Sequence, residues 1–250
     1  MVKLMTDTVL YSREGHVARL VLNNPQRHNA LGAEQLAAIR ACLEKLSVDT
    51  QARVLIVTGV GDKTFCAGAS LQELGAGEVT ANAFQGMTAA LAAVPLPTIC
   101  ALNGNVFGGG VELALACDFR IGIEGSRLQV PAAAIGLCYP LEGIRRFLEV
   151  LGPQQARRIL VAAEAFEADA MLGIGFLDRL VARHELESEV EAFAAHIATL
   201  APLAVQSMKQ ILRQASTDQV DIDRARDLAV RCLESADLQE GLAAKQEKRP

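Results

Sequence analysis

The stretch Asn103-Gly104-Asn105-Val106-Phe107-Gly108-Gly109-Gly110-Val111-Glu112-Leu113 sets three consecutive glycines beside one acidic residue. Glycine has no Cβ and accepts positive φ, so the main chain can approach a ligand closely at such a run. Before it, Pro97 to Leu102 reads as a short buried strand; after it, Val111 to Cys117, rich in Ala and Leu, reads as a buried helix. The first turn of a helix leaves N–H groups without intrahelical acceptors, and the dipole favours negative charge there. Strand, glycine turn and helix start therefore make pre-aimed donors for an anion, or for an oxygen that becomes one during a reaction. Glu112, in that same turn, adds a group able to move a proton. The same residues also fit a ligand-free loop whose glutamate only complements the helix dipole. A phosphate loop does not fit: no Gly-Lys-Ser/Thr closes the run, and the spacing is not Gly-x-Gly-x-x-Gly.

The elements that must position this stretch repeat a rhythm. Val9 to Ser12 and His16 to Asn23, around Glu14-Gly15, read as a β-hairpin. Leu36, Ile39, Leu43 and Leu46 fall at helical spacing within Leu31 to Leu46, and Arg53 to Thr58 is a β-branched run expected as a buried strand. Phe65 to Leu74 reads as a turn leading towards a helix, Asn82 to Ala93 as a helix, and Asp118 to Ile123 and Arg127 to Val130 as strands. Strand, turn and helix in repetition predict an α/β fold with layered sheets and ligands at the strand ends. Beyond Pro131 the pattern turns helical. Helices are expected at Ile144 to Val150, Gln154 to Ala163, Ala168 to Met171, Glu185 to Leu200, Leu203 to Ala215, Ile222 to Glu234 and Ala236 to Glu247, with one strand at Phe176 to Val181. A soft division near residue 195 separates an α/β core, 1–195, from a helical region, 196–250, too small to bury its own core and expected to pack on the core or on a neighbouring subunit.

Composition narrows the function classes. The 250 residues suit one large domain, or a core with a small appendage, and the 51% apolar fraction is ample for its interior. A net charge of −5 offers no broad attraction to nucleic acid. The apolar stretch from Phe84 to Phe119 is broken by Pro95, Pro97, Asn103 and the glycines, well short of the about 18 residues of a membrane span. Met1 to Val9 carries Lys3 and Asp7 and does not read as a signal peptide. The six cysteines are scattered without Cys-x-x-Cys pairs, as expected of reduced, mostly buried thiols rather than disulfides or a metal site. The expected compartment is the cytoplasm.

With these residues in place, the chain resembles the crotonase superfamily, which includes enoyl-CoA hydratases and isomerases. The resemblance spans nearly the whole chain through separate motifs in order: Asn23-Asn24-Pro25 with Asn29-Ala30-Leu31; Phe65-Cys66-Ala67-Gly68-Ala69-Ser70-Leu71; the Asn103 to Leu113 run with Cys117-Asp118; Gly136-Leu137, Gly143 and Arg146; and Ser235-Ala236-Asp237, Glu240-Gly241 and Glu247-Lys248-Arg249. It implies a crotonase-like (ClpP/crotonase) spiral of ββα units with layered sheets and a C-terminal helical region. It also implies a trimer or a dimer of trimers, a homotrimer or homohexamer, with those C-terminal helices at the interface.

The resemblance further implies an acyl-CoA thioester as substrate, with coenzyme A entering as part of it and no separate cofactor, metal, nucleic acid or membrane involved. By position, the N–H groups of Ala69 and Gly109, in turns that include Gly68 and Gly108, would hold the thioester oxygen as an enolate develops. Glu112 matches the first of two glutamates that hydratases use to add water. The second would follow Pro131, where this chain has Ala132, and Ser70 stands where the family usually has Asp. Glu142 is then either a second carboxylate entering the pocket or an exposed helix-start residue, and Tyr139 either a hydrogen-bond donor or a wall. At the coenzyme A end, Arg27 is expected near the nucleotide phosphates, with His28 and Ala67 approaching the adenine through backbone atoms. Lys245, in place of the usual aromatic, is either a phosphate contact or part of a solvated face. Hydration of a 2-enoyl-CoA is the first expectation and double-bond isomerisation by a single glutamate the second. Thioester hydrolysis, decarboxylation and retro-aldol cleavage use the same enolate. A non-catalytic acyl-CoA-binding protein is the alternative of another class.

Overall fold

A computed structural model describes residues 4–216 and 220–248; Lys3 and Arg249 lie outside them. Two sheets carry the architecture. The larger has the order β1 (Leu4–Thr6), β2 (Val9–Glu14), β3 (Val17–Leu22), β4 (Val54–Gly59), β6 (Thr98–Leu102), β8 (Phe119–Ile123) and β11 (Arg179–Val181). The smaller has the order β10 (Phe166–Glu167), β9 (Arg127–Gln129), β7 (Asn105–Phe107) and β5 (Thr64–Cys66). Strands β3, β4, β6, β8 and β11 are parallel to their neighbours in that series, while the hairpin β2–β3 and strand β1 are antiparallel. Each of β4, β6 and β8 runs into a strand of the smaller sheet and then into helix: α2 (Leu71–Gly75) and α3 (Ala81–Ala92), α4 (Gly109–Leu115), and α5 (Leu141–Ala156). The ββα repetition follows directly from this order.

The central strands β4, β6 and β8 of the large sheet are buried on both faces, which explains their unbroken apolar runs. In β4, Leu55 and Val57 face the main core, while Val54 and Ile56 face the other way. There they meet α7 (Leu186–Ala198), whose Leu186, Val190, Ala194 and Ile197 fill a second apolar cluster with Ile99, Ala101, Ile121 and Ile123. The main core, between the two sheets and the helices α1 (Ala33–Ser47), α3, α4 and α5, contains the fully buried Phe65, Phe147 and Phe166. Residue 195 lies inside α7, and the chain leaves the sheet only after Ala198, before α8 (Pro202–Ala215), α9 (Ile222–Leu233) and α10 (Ala236–Glu247). Lys209 of α8 donates to the Leu96 carbonyl at 2.7 Å and to Asp118 Oδ2 at 2.5 Å, fastening these helices to the start of β6.

Three local differences from the sequence reading have physical causes. The helices expected at Ile144–Val150 and Gln154–Ala163 form one run broken at Gly152 (φ 74°, ψ 169°), where Pro153 lacks the N–H that an unbroken helix would use, and the run closes in a π turn at Arg157–Val161. Strand β10, only two residues long, is too short to show a period. The strand expected from Phe176 begins at Arg179 because Phe176 and Leu177 are spent as buried anchors, Leu177 against Gly122 of β8.

Loop Asn23 to Leu31 is locked to the β4–β5 connection by one side chain. Buried Asn29, in left-handed backbone (φ 54°), accepts from Asn24 N–H at 2.9 Å and directs Nδ2 at the carbonyls of Val60, Thr64 and Phe65 at 3.0–3.1 Å. Asn29→Ala leaves buried carbonyls short of a donor and puts a Cβ-bearing residue with no side-chain bonding in strained backbone. Its expected cost is on the order of 3 kcal/mol of unfolding free energy in a urea titration.

Candidate active site

Two backbone turns meet beneath α3. The first, Ala67-Gly68-Ala69, follows β5. Leu31 N–H donates to the Gly68 carbonyl at 2.8 Å, and Ser70 N–H donates to the Leu31 carbonyl at 2.9 Å. This parallel bridge engages the residues on either side of Ala69, so the Ala69 N–H points away from Leu31 and meets no acceptor among the described residues. The Cys66 thiol, underneath, donates to the Asn29 carbonyl at 3.3 Å and accepts from Gly68 N–H at 3.4 Å. The second turn, at Gly108 (φ 51°), is held by Gly108 N–H to the Gln129 carbonyl at 3.0 Å. Gly109 N–H, which opens α4, likewise meets no acceptor among the described residues.

The turns touch through glycine. A Cβ on Gly68 would stand 2.4 Å from the Gly109 nitrogen, and Gly68 is also at φ 85°. A Cβ on Gly109 would stand 2.4 Å from Cζ of Phe84 on α3. The two N–H groups that lack acceptors among the described residues thus belong to turns in direct backbone contact, and the Phe84 ring packs where a Gly109 side chain would start.

Glu112 lies one helical turn beyond Gly109 and is 2% exposed. Its Oε1 accepts from Thr88 Oγ1 of α3 at 3.0 Å. Its Oε2 faces α5, 3.1 Å from where a Gly143 Cβ would stand, and Tyr139 Cδ1 lies 3.0 Å from the same point. Burial raises the Glu112 pKa; the Thr88 hydrogen bond and the charge of Arg146 oppose the rise, and the charge of Glu142 adds to it. Burial in turn lowers the Arg146 pKa against the pull of Glu112, and Arg146 Nε is buried without an acceptor among the described residues. Burial, helped by the Glu112 and Cys66 charges, pushes the Tyr139 phenol far up, so it stays protonated. The Tyr139 ring packs edge-on against Phe147 at 5.8 Å.

The expected site residues are thus partly convergent. Ala69, Gly109, Gly68, Gly108, Glu112 and Tyr139 come together. Glu142 is exposed on the first turn of α5 and reaches the site through its charge. His28 and Ala67 share a cavity of about 410 Å³ with Lys63, Asn105, Phe107 and Arg183, and His28 Nδ1 lies 3.0 Å from Thr64 Oγ1. Arg27, the neighbour of His28, opens instead onto a separate cavity of about 290 Å³ beside Glu34, Ser70 and Glu73, so the two do not share one ligand pocket. Lys245 is exposed in the last turn of α10, a helix packed on α9, and lines neither cavity. The sequence reading passed over Thr88 and Phe84. Their signal is a hydroxyl and a ring on the face of α3 that also buries Met87 and Leu91.

The family described as enoyl-CoA hydratase/isomerase matches residues 12–250. The chain belongs to the enoyl-CoA hydratase/isomerase family. A crotonyl-CoA hydratase of Syntrophomonas wolfei is 32% identical over 252 residues, covering 97% of this chain and 96% of that protein. Among solved structures, an enoyl-CoA hydratase/carnithine racemase of Magnetospirillum magneticum superposes with a TM-score of 0.92 at 30% identity, covering 99% of this chain and 95% of that one. An enoyl-CoA hydratase of Bacillus anthracis does so with a TM-score of 0.88 at 29% identity, covering 97% of each. The fold is therefore the crotonase fold, with layered sheets and C-terminal helices. No helix among the described residues is long and apolar enough to cross a membrane.

The raised Glu112 pKa has a sign for stability. A carboxyl whose folded value exceeds its unfolded value contributes fully below the unfolded value, and that contribution is lost as pH rises through the folded one. Glu112→Gln, which keeps an acceptor for Thr88 without the buried charge, is expected to melt at a higher temperature than the parent at pH 8. The difference should vanish at about pH 4 and below, read by calorimetry across pH.

Proposed function

We propose that this protein is an acyl-CoA enzyme that hydrates a 2-enoyl-CoA through a thioester enolate. The observation that carries this reading is the pairing of two N–H groups, of Ala69 and Gly109, that have no acceptor among the described residues, with a buried glutamate one turn beyond Gly109. The N–H groups would hold the thioester oxygen, whose charge grows only as the enolate forms, so they need little reorganisation when it does. Glu112 is the acid/base. Its raised pKa brings it nearer to neutrality, where a proton shuttle works best.

One carboxylate balances the reaction. Water gives a proton to Glu112 as its oxygen bonds to the β-carbon, and the π electrons move onto the thioester oxygen. The enolate then collapses, and the same proton passes from Glu112 to the α-carbon. Ala132 favours a second reading, in which Glu112 takes a proton from C2 of a 3-enoyl-CoA and returns it at C4. Glu142 acts on the site through its charge, and Tyr139 forms a protonated wall. The cavity shared by His28 and Ala67 would receive the nucleotide end of coenzyme A, with Lys63 and Arg183 as cations for its phosphates. Exposed Met208, Leu212, Val230, Leu233 and Leu242 on α8, α9 and α10 support self-association, as a trimer or a dimer of trimers, through these helices.

The test follows hydration of crotonyl-CoA and double-bond migration in a 3-enoyl-CoA separately. Glu112→Gln is expected to lower kcat by about 10²–10⁴ for whichever reaction occurs. Glu142→Gln should cost less and move the acid limb of the kcat/KM profile to lower pH, because it removes a negative charge that raises the Glu112 pKa. Migration without hydration would replace the first reading by the second. Tight acyl-CoA binding with neither reaction would leave a non-catalytic binder. Sedimentation equilibrium is expected to give three or six copies, and a monomer would sink the assembly proposal.

A further inference from the structure

Resting on the reading of Glu112 as the proton shuttle, we propose that Thr88 is a positioning residue that holds Oε1 of Glu112 and so assigns all proton exchange to Oε2. Thr88 is fully buried on α3, and its hydroxyl has one proton to give. Two acceptors lie within reach, Glu112 Oε1 at 3.0 Å and the Gln85 carbonyl at 3.2 Å. An ionised carboxylate is the stronger acceptor, so the proton goes to Oε1. When Glu112 takes up a proton, adding it at Oε1 would reverse the pair, with Oε1–H donating to Thr88 Oγ1 and the Thr88 proton swinging to the Gln85 carbonyl. Adding it at Oε2 leaves Oε1 a carbonyl oxygen that still accepts from Thr88. The hydroxyl therefore serves both protonation states without moving, provided that Oε2 carries the proton. Oε2 is the oxygen aimed towards Gly143 and Tyr139. The carboxylate does not rotate between the two halves of a reaction, because one of its oxygens is anchored to a helix other than its own.

Thr88→Val keeps the shape and removes the hydroxyl, Thr88→Ala removes it without adding apolar bulk, and Thr88→Ser restores it. The primary readout is a ¹³C NMR titration of the Glu112 side-chain carboxyl, assigned by its absence in Glu112→Gln; it requires no turnover. The expected result is a higher Glu112 pKa in Thr88→Val and Thr88→Ala, since both lose a hydrogen bond to the charged form, and a parent-like titration in Thr88→Ser. In the assay, kcat should fall about tenfold in Thr88→Val with KM little changed, with rescue by Thr88→Ser. An unshifted titration in both Val and Ala variants overturns the inference. So does a Thr88→Ser protein that behaves like Thr88→Val, because packing would then be the cause. If Glu112→Gln retains turnover, the shuttle reading fails on its own, and the titration still decides whether Thr88 holds Oε1.

Discussion

The approach of one stretch of backbone to another, Gly68 against the Gly109 nitrogen, is the constraint on which the rest of the site depends. Each turn presents one N–H, and a pair of donors exists only because nothing stands between them. The contact is held from both sides. Loop Asn23 to Leu31 bonds to Gly68 and Ser70, and Asn29 ties that loop to the β4–β5 connection. On the other side Gly108 hangs from Gln129 of β9, so strands of the smaller sheet set the position of the second donor. Both N–H groups are thus positioned by backbone hydrogen bonds of the surrounding elements rather than by side chains of their own.

The buried carboxyl at the site is tuned by opposing influences from different elements. Burial in α4 disfavours the charged form of Glu112. Thr88 from α3 and Arg146 from α5 favour it, and Glu142 at the start of α5 disfavours it again. No single element sets the balance. Moving α5 against α4 would change two of the charges together and release the Gly143 contact that lets Oε2 face the site. The packing of α4 on α5 is thus part of the electrostatics as well as of the core.

The large sheet supplies the rigidity. With α7 on one face and the main core on the other, β4, β6 and β8 are enclosed. Their ends launch the smaller-sheet strands and the turns that carry the donors, so the turns inherit the order of a buried sheet. Lys209, bonded to the carbonyl of Leu96 and to Asp118, extends that order to α8.

Much of this was legible in the chain as text. Apolar runs such as Arg53 to Thr58 mark strands buried on both faces, and the i, i+3, i+7, i+10 pattern of Leu36, Ile39, Leu43 and Leu46 marks α1, because those periods are local properties of strand and helix. The Gly108-Gly109-Gly110 run and Ala67-Gly68-Ala69 announce turns free of side chains, and Glu112 follows the first of these by simple adjacency. What the text could not state is which way groups face. Thr88 is one hydroxyl in an Ala-rich helix until α3 is laid over α4, and Arg27 and His28 are neighbours that open onto different cavities because His28 turns into left-handed backbone at φ 52°. The sequence by itself determined the longer strands and helices, the family and the presence of one carboxylate at the glycine turn, since these depend on local period and residue type; the two- and three-residue strands β1, β5, β7 and β10 are too short to show a period and were not legible. Only the tertiary structure decided that the two turns touch, that Oε1 is tied to Thr88 while Oε2 faces Gly143, and that Glu142 acts from the surface, since each of these is a distance between groups far apart in the chain.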